Sequence, residues 1–344
     1  MIHRPSLSVV IPCYNEEACL RELHRRVSAA AHAVVGADHE IILINDGSRD
    51  KTWEIMQELA GVDPLLVCIN LSRNHGHQLA LTAGLDLCGG DHILIIDADL
   101  QDPPELLGPM LEAMKAEGAD VVYGVRRKRA GETLFKKITA AGFYRLLSRL
   151  TDIDIPLDAG DFRLMSRRAL DALLALPEQA RFVRGMVAWI GFTQRPFLYD
   201  RAERFDGESK YPLSKMIKFA LDAVTGFSTA PLRFASHAGM ALVGVSLVML
   251  AYILFGWFSG RAVAGWTSTM LIVVVLGAAQ MFVLGMIGEY LGRLYMESKR
   301  RPLYIVADIA GSARPPHRLG HVATQAESTA ASDTPGGSGS APSA

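Results

Sequence analysis

Cysteine is scarce in this sequence: there are four in 344 residues, Cys13, Cys19, Cys68 and Cys88, and none forms a CxxC pair. That spacing excludes a zinc ribbon or a disulfide framework, and the apolar surroundings point to buried thiols in a reducing compartment. Net charge is nearly absent as well, at −1, so no global basic field marks a nucleic-acid binder. The first strand pattern starts near residue 7 with no apolar signal-peptide core ahead of it, so the N-terminal region is expected to stay where it is made. No internal repeat is evident. The most consequential lack is of charge in residues 234–260 and 262–288, two blocks of 27 residues without Asp, Glu, Lys or Arg.

At about 1.5 Å per helical residue, either block can cross a hydrocarbon core about 30 Å thick. An ordinary soluble protein is thereby excluded, and two spans are too few for a typical multi-helix transporter. Only Arg261 separates the blocks, so they are expected to form a helical hairpin whose outer ends share a side. Lys215, Lys218 and Arg233 precede it and Arg293, Lys299, Arg300 and Arg301 follow it. The positive-inside rule therefore places the N-terminal region in the cytoplasm.

Ahead of the blocks, short apolar runs at 7–11, 40–44, 65–71, 92–96 and 121–123 alternate with helix candidates near 16–35, 51–60, 75–88 and 103–117. Continuous apolar strands are what a parallel sheet covered on both faces requires, and the alternation argues an open, doubly wound α/β fold. Ligands of such sheets bind beyond the carboxyl ends of the strands. Two basic amphipathic segments, at 133–150 and 213–227, suit either the membrane interface or packing on the domain's own core. From 311 onward Gly, Ser, Ala, Pro and Thr dominate, the composition of a disordered tail.

The strand ends are where polar residues collect. Asp97-Ala98-Asp99-Leu100-Gln101-Asp102-Pro103-Pro104 follows the fourth apolar run. Carboxylates there are costly unless a cation compensates them, and hard oxygen ligands suit Mg²⁺ or Mn²⁺ held together with a diphosphate. The plainer alternative is that Asp99 only caps the following helix. Pro12-Cys13-Tyr14-Asn15-Glu16-Glu17 ends the first run and Asn45-Asp46-Gly47-Ser48 the second, bringing a carboxylate and an aromatic ring to one crevice suited to a nucleoside. No GxGxxG follows the first strand, which weighs against a Rossmann dinucleotide site. In Arg73-Asn74-His75-Gly76-His77-Gln78 the histidines have no carboxylate neighbour in sequence, so Arg73 is the better candidate for an anion or base contact.

Together with Leu157-Asp158-Ala159-Gly160-Asp161-Phe162-Arg163-Leu164, Arg181-Phe182-Val183-Arg184-Gly185 and Phe205-Asp206-Gly207-Glu208-Ser209-Lys210-Tyr211, these motifs resemble the GT-A fold of family 2 glycosyltransferases. With the two apolar blocks, the chain is similar to the polyprenyl-phosphate glycosyltransferases over about residues 5–305. The resemblance implies an α/β, Rossmann-like, mostly parallel GT-A domain over residues 1–230. A two-helix transmembrane hairpin and basic segment follow over 231–310, and the tail over 311–344. It implies that Pro12, Tyr14, Glu16, Asp46 and Asp97 hold the nucleoside part of the donor, joined by Arg73 as the candidate anion or base contact, and that Asp99 and Gln101 bind Mg²⁺ or Mn²⁺. Asp158 would lie beside the reacting sugar, and Arg181, Arg184, Arg204 and Lys210 near the phosphates. Asn45 departs from the commoner Asp-Asp-Gly-Ser, so an anionic role at that position is in doubt. The Gln-x-x-Arg-Trp of processive synthases is missing, which argues against chain polymerisation.

The implied reaction is inverting transfer of a sugar from a UDP- or GDP-sugar, UDP-glucose favoured, to undecaprenyl phosphate by a multi-pass protein of the plasma membrane. The implied partners are the nucleotide sugar, the lipid phosphate and the membrane, with no nucleic acid and with homo-oligomerisation open. The rival expectation is a membrane-anchored nucleotide-binding scaffold without turnover.

Overall fold

The structure, a computed structural model, describes residues 4–127, 159–200, 230–259 and 265–311. The amphipathic segments at 133–150 and 213–227, the tail from 312 onward, Arg261, and the expected site residues Asp158, Arg204 and Lys210 lie outside the described residues.

Strands β1 (Leu7–Cys13), β2 (His39–Asn45), β3 (Leu66–Leu71) and β4 (His92–Ile95) form a parallel block in the order β4-β1-β2-β3. Every residue of β1 is buried. Leu7, Val9 and Ile11 enter one apolar layer and Val10 the other, so the run has no polar face to show. Helices α1 (Leu20–Val35), α2 (Thr52–Val62) and α4 (Leu107–Glu117) bury residues in the first layer, and α3 (His77–Leu87) in the second. On α1 the buried Leu20, Leu23, Val27 and Ala31 follow helical spacing. Gly84 lets α3 lie directly on the sheet, since a Cβ there would run into Val10 and Ile44.

The rest of the sheet is mixed. β5 (Val121–Arg126) does not join β4; β6 (Ala159–Ser166) runs antiparallel between them, and β7 (Gln194–Tyr199) lies parallel to β5 at one edge. Helices α5 (Arg167–Leu174) and α6 (Val183–Trp189) complete this half. The sheet is thus the mostly parallel, mixed sheet of the GT-A type.

Two long apolar helices follow, α7 (Ala230–Phe258) and α8 (Trp266–Ser298), and they touch each other. Among the described residues one stretch, Val275–Ser298, is long and apolar enough to cross a membrane, and its side chains are not buried against the domain. The chain then returns. β8 (Val306–Gly311) pairs antiparallel with β3 and closes the other edge of the sheet. Residues expected to be only a basic segment after a hairpin are therefore part of the sheet, and Gly311, expected to begin the tail, ends a strand.

Candidate active site

The loops at the carboxyl ends of β1 and β2 are laced together by side chains that bond to backbone. The Asn15 N–H donates to Ser48 Oγ (3.0 Å), the Arg49 N–H to Asn15 Oδ1 (2.8 Å) and the Glu16 N–H to Thr52 Oγ1 (2.9 Å). Asn15 takes a left-handed φ of 57°, which an Asn tolerates better than most residues. Pro12 is buried at the end of β1, Tyr14 stands 42% exposed and Glu16 is half-buried, accepting from the Cys19 thiol.

Asp46 is nearly buried, and both carboxylate oxygens are taken by backbone: Oδ1 by the His75 N–H (2.7 Å), Oδ2 by the Gly76 N–H (2.9 Å). Burial raises its pKa, and the two N–H donors pull against that rise. Asp46, expected at the nucleoside, also shapes the β3–α3 loop through these two bonds. Gly47 fits beneath that loop at a φ of 64°, where a Cβ would come within 2.6 Å of the Arg73 carbonyl carbon. Asn45 donates to Asn70 Oδ1 (2.8 Å) and accepts from the Ser48 N–H (3.1 Å), a neutral structural part where the family commonly has a carboxylate. Arg73 is exposed, its guanidinium donating to the Asn74 carbonyl.

The loop after β4 turns back at Leu100, a buried residue with a left-handed φ of 57°. A Leu held there is strained, and such strain collects at functional sites. The turn brings Asp99 and Gln101 together, the Gln101 N–H donating to Asp99 Oδ1 at 3.2 Å. Asp102 is buried and accepts from the Tyr199 hydroxyl, and the Tyr199 ring meets Phe162 edge-on at 5.5 Å. The third carboxylate of the motif thus moors the loop to β7.

An ionic cluster adjoins this loop. Asp97 Oδ1 is buried with no hydrogen-bond partner, and His77 Nε2 lies 3.6 Å from it. Burial, helped by the charges of Asp161, Asp102 and Asp99 and opposed by His77, raises the Asp97 pKa to about 6. His77 Nε2 also lies 3.3 Å from Asp161 Oδ2. Burial alone lowers the His77 pKa, but the Asp161 hydrogen bond and the charge of Asp97 outweigh it and hold the pKa above the usual value. Asp161 Oδ1 faces Arg184 Nη2 at 3.3 Å and Arg163 Nη2 at 3.7 Å. Burial raises the Asp161 pKa, yet His77, Arg184 and Arg163 together keep it well below the carboxylate range. The buried Arg163 is itself lowered to about 10 by burial against the pull of Asp161. Gln78 ties the group to α6: its Nε2 donates to Asp161 (3.4 Å), and its Oε1 accepts from the Val183 N–H (2.9 Å).

The structure thus brings Asp97 and Arg184 into one cluster beside the Asp99–Gln101 turn, and sets Tyr14 and Glu16 on a neighbouring loop. Arg181 goes elsewhere, its Nη1 donating to the Leu173 carbonyl at 3.4 Å. The sequence argues against His77 as a metal ligand, and Gln78, Asp161 and Arg163 stand in the quoted motifs without a role of their own. The available signal was the i, i+2 spacing of Asp161 and Arg163, which puts both on one face of a strand.

Among the described residues no three His, Cys, Asp or Glu side chains form a metal-holding group. The donors nevertheless suit a divalent ion shared with a ligand. The buried, unpartnered Oδ1 of Asp97 sits near Asp99 and Asp102, with the charge of His77 opposing theirs. An ion that takes most of its oxygens from a diphosphate and water needs only one or two such carboxylates.

Comparison with known proteins agrees with this construction. The chain is 48% identical over 300 residues to an uncharacterized glycosyltransferase, YkcC, of Bacillus subtilis, covering 87% of this chain and 92% of that one. It is 38% identical over 301 residues to a prophage bactoprenol glucosyl transferase homolog of Escherichia coli, covering 87% and 98%. A solved structure of S. aureus TarS 1-349 in complex with UDP-GlcNAc is 18% identical, covers 64% of this chain and 65% of that one, and gives a TM-score of 0.45. The profile of glycosyl transferase family 2 matches residues 8–174, from β1 through α5. With the sheet, the strand-end carboxylates and full-length relatives in agreement, the chain is a glycosyltransferase and belongs to glycosyl transferase family 2.

Proposed function

We propose that this enzyme transfers a hexosyl group, glucose from UDP-glucose in the favoured case, to a polyprenyl phosphate at the cytoplasmic face of the plasma membrane. The observation that carries the reading is the meeting of acidic Asp97 and Asp161 with basic Arg184 and His77 at the carboxyl edge of the sheet, in a chain that continues into two long apolar helices. Full-length relatives named as bactoprenol glucosyl transferases, 38% identical over 97% of their length, support a lipid-phosphate acceptor. The 24 residues of Val275–Ser298 span about 36 Å as a helix, more than a hydrocarbon core requires, and support a membrane anchor. In this reading α7 and α8 form the transmembrane hairpin expected from the sequence.

Each residue then has a physical task. Tyr14 offers an exposed ring to the nucleobase, while the laced loops and Asp46 hold the floor on which the nucleoside rests. Asp99 and Gln101, with Asp97 beside them, would hold Mg²⁺ or Mn²⁺. Such an ion, when bound, offsets the negative charge that grows on the departing nucleoside diphosphate. The attacking group is a phosphate oxygen. A phosphate monoester has a second pKa of about 6, so at neutral pH it is already largely ionised and needs little help from a general base. Asp158 is accordingly assigned to placing the sugar. Bringing two anionic phosphates together does require cations, the role given to Arg184, Arg204 and Lys210. In-line attack inverts the anomeric centre, giving a β-linked product from an α-linked donor.

The test is a panel of sugar nucleotides offered to the full-length protein with radiolabelled undecaprenyl phosphate and Mg²⁺ or Mn²⁺. Formation of a labelled glycosyl phospholipid from one donor supports the reading. Tight UDP binding without transfer from any donor would establish the scaffold instead.

A further inference from the structure

The C-terminal end of α8 is joined to the catalytic domain at several points within a short stretch of chain. The Gln179 N–H donates to Glu297 Oε1 at 2.8 Å, linking the α5–α6 loop to the last turn of the helix. Tyr304 donates to Asp86 Oδ2 at 2.9 Å, linking the following segment to α3. The Ser72 N–H then donates to the Ile305 carbonyl at 2.9 Å, and β8 pairs with β3. Arg181 sits in this group, half-buried and within electrostatic reach of Asp86, Glu178, Glu297 and Tyr304. Three carboxylates around one guanidinium make a poor site for a phosphate, whose own charge they repel. They make a good site for holding two parts of a chain together.

We propose that Glu297 and Tyr304, held by the Gln179 N–H and by Asp86, are positioning residues that fix the catalytic domain on α8 and so set the height of the site over the bilayer, where the lipid's phosphate arrives. Arg181 is reassigned by this from the phosphates to the joint. The inference rests on the membrane reading of α8 and on a lipid acceptor. Its physical content is that placement matters only when the acceptor is itself held in place. A long polyprenyl chain anchored in a bilayer presents its phosphate at a fixed depth, whereas a short-chain phosphate free in solution finds the site wherever the domain sits.

The experiment compares two acceptors with full-length protein: undecaprenyl phosphate in vesicles of phosphatidylethanolamine and phosphatidylglycerol, and citronellyl phosphate in detergent. Glu297→Ala and Tyr304→Phe are expected to lower kcat/KM on the vesicle acceptor by about tenfold, as misplacement of reactants does, while changing it by less than about twofold on citronellyl phosphate. The Arg181→Ala, Glu297→Ala double variant is expected to lose no more on the vesicle acceptor than the worse single variant, the mark of groups acting as a unit. Equal losses on both acceptors, or strictly additive losses, overturn the proposal. Amide exchange at Gln179 and along β8 is read in the same samples: faster exchange in Glu297→Ala supports the joint, and unchanged exchange refutes it whether or not sugar is transferred. Wild-type protein inactive on both acceptors refutes the proposed function instead, an outcome separate from the exchange result.

Discussion

The two sides of the candidate site are held by different forces. On the β1–β2 side, side chains bond to backbone: Asn15 to Arg49, Ser48 to Asn15, Thr52 to Glu16, and the carboxylates of Glu17 and Asp46 to Lys51, His75 and Gly76. On the β4–β6 side, charges hold charges, with Asp161 between His77, Arg163 and Arg184, and Asp97 left with an unpartnered oxygen. Bonds to backbone fix a shape and change little with what arrives. A cluster of opposed charges responds to an incoming ion or phosphate, because each new charge changes the balance of those already there. The first side is built to be a floor, the second to be acted on.

Breaking the charged side should have the largest effect. Asp99→Ala is expected to lower sugar transfer by about 10²–10³-fold, as the loss of one group aimed at developing charge does, without shifting the thermal unfolding midpoint. Full turnover by this variant in excess EDTA removes the metal assignment. Asp161→Ala is next: taking one partner from a buried ionic group is expected to cost about 3–5 kcal/mol of stability, read from unfolding of the purified protein. Its pH signature has a definite sign. Asp161 has a depressed folded pKa, so its stabilisation is complete above the unfolded value of about 3.9 and is lost as pH falls below it toward the folded value. Asp97 is raised to about 6 and works the other way, favouring the folded state more as pH drops from about 6 to about 4. Melting curves taken as pH falls below about 3.9 should show Asp161→Asn losing less stability on acidification than wild type.

Disturbing the side bonded to backbone should cost less. Asp46→Ala leaves the N–H groups of the half-buried His75 and Gly76 without their acceptors, an expected loss of about 1–3 kcal/mol, together with a higher KM for the nucleotide sugar. Smallest is Asn15→Gly, which gives up the bond to Arg49 but relieves a left-handed φ, for a net change within about 1 kcal/mol. If Asn15→Gly proved as damaging as Asp161→Ala, the distinction between floor and responsive side would fail.

The same division governs what can be read from the sequence. β1 to β4 announce themselves because both of their faces are buried, leaving unbroken apolar runs. β6 does not, because Asp161 and Arg163 interrupt it and are buried only by virtue of each other and of Arg184. β7 contains Pro196, tolerated because the strand lies at an edge, and β8 is a short run with Asp308 and Gly311 that follows the long apolar helices. The strand-end carboxylates are likewise visible as motifs. Asp46 illustrates the limit: its place in the motif is legible, but its commitment to the His75 and Gly76 amides depends on how the β3 loop folds over it. The link between His77, Asp97 and Asp161 joins residues 20 to 84 positions apart, a relation that only the sheet order supplies.

The return of the chain to β3 also fixes an order of events during synthesis. The partner of the β3 edge is not made until the ribosome has passed both apolar helices, so the nascent domain carries an open strand edge until then. Release of the last segment then completes the sheet. On the proposed membrane reading, anchoring and completion of the enzyme fall in one maturation step, and a chain stopped after α8 would be left with an unfinished sheet.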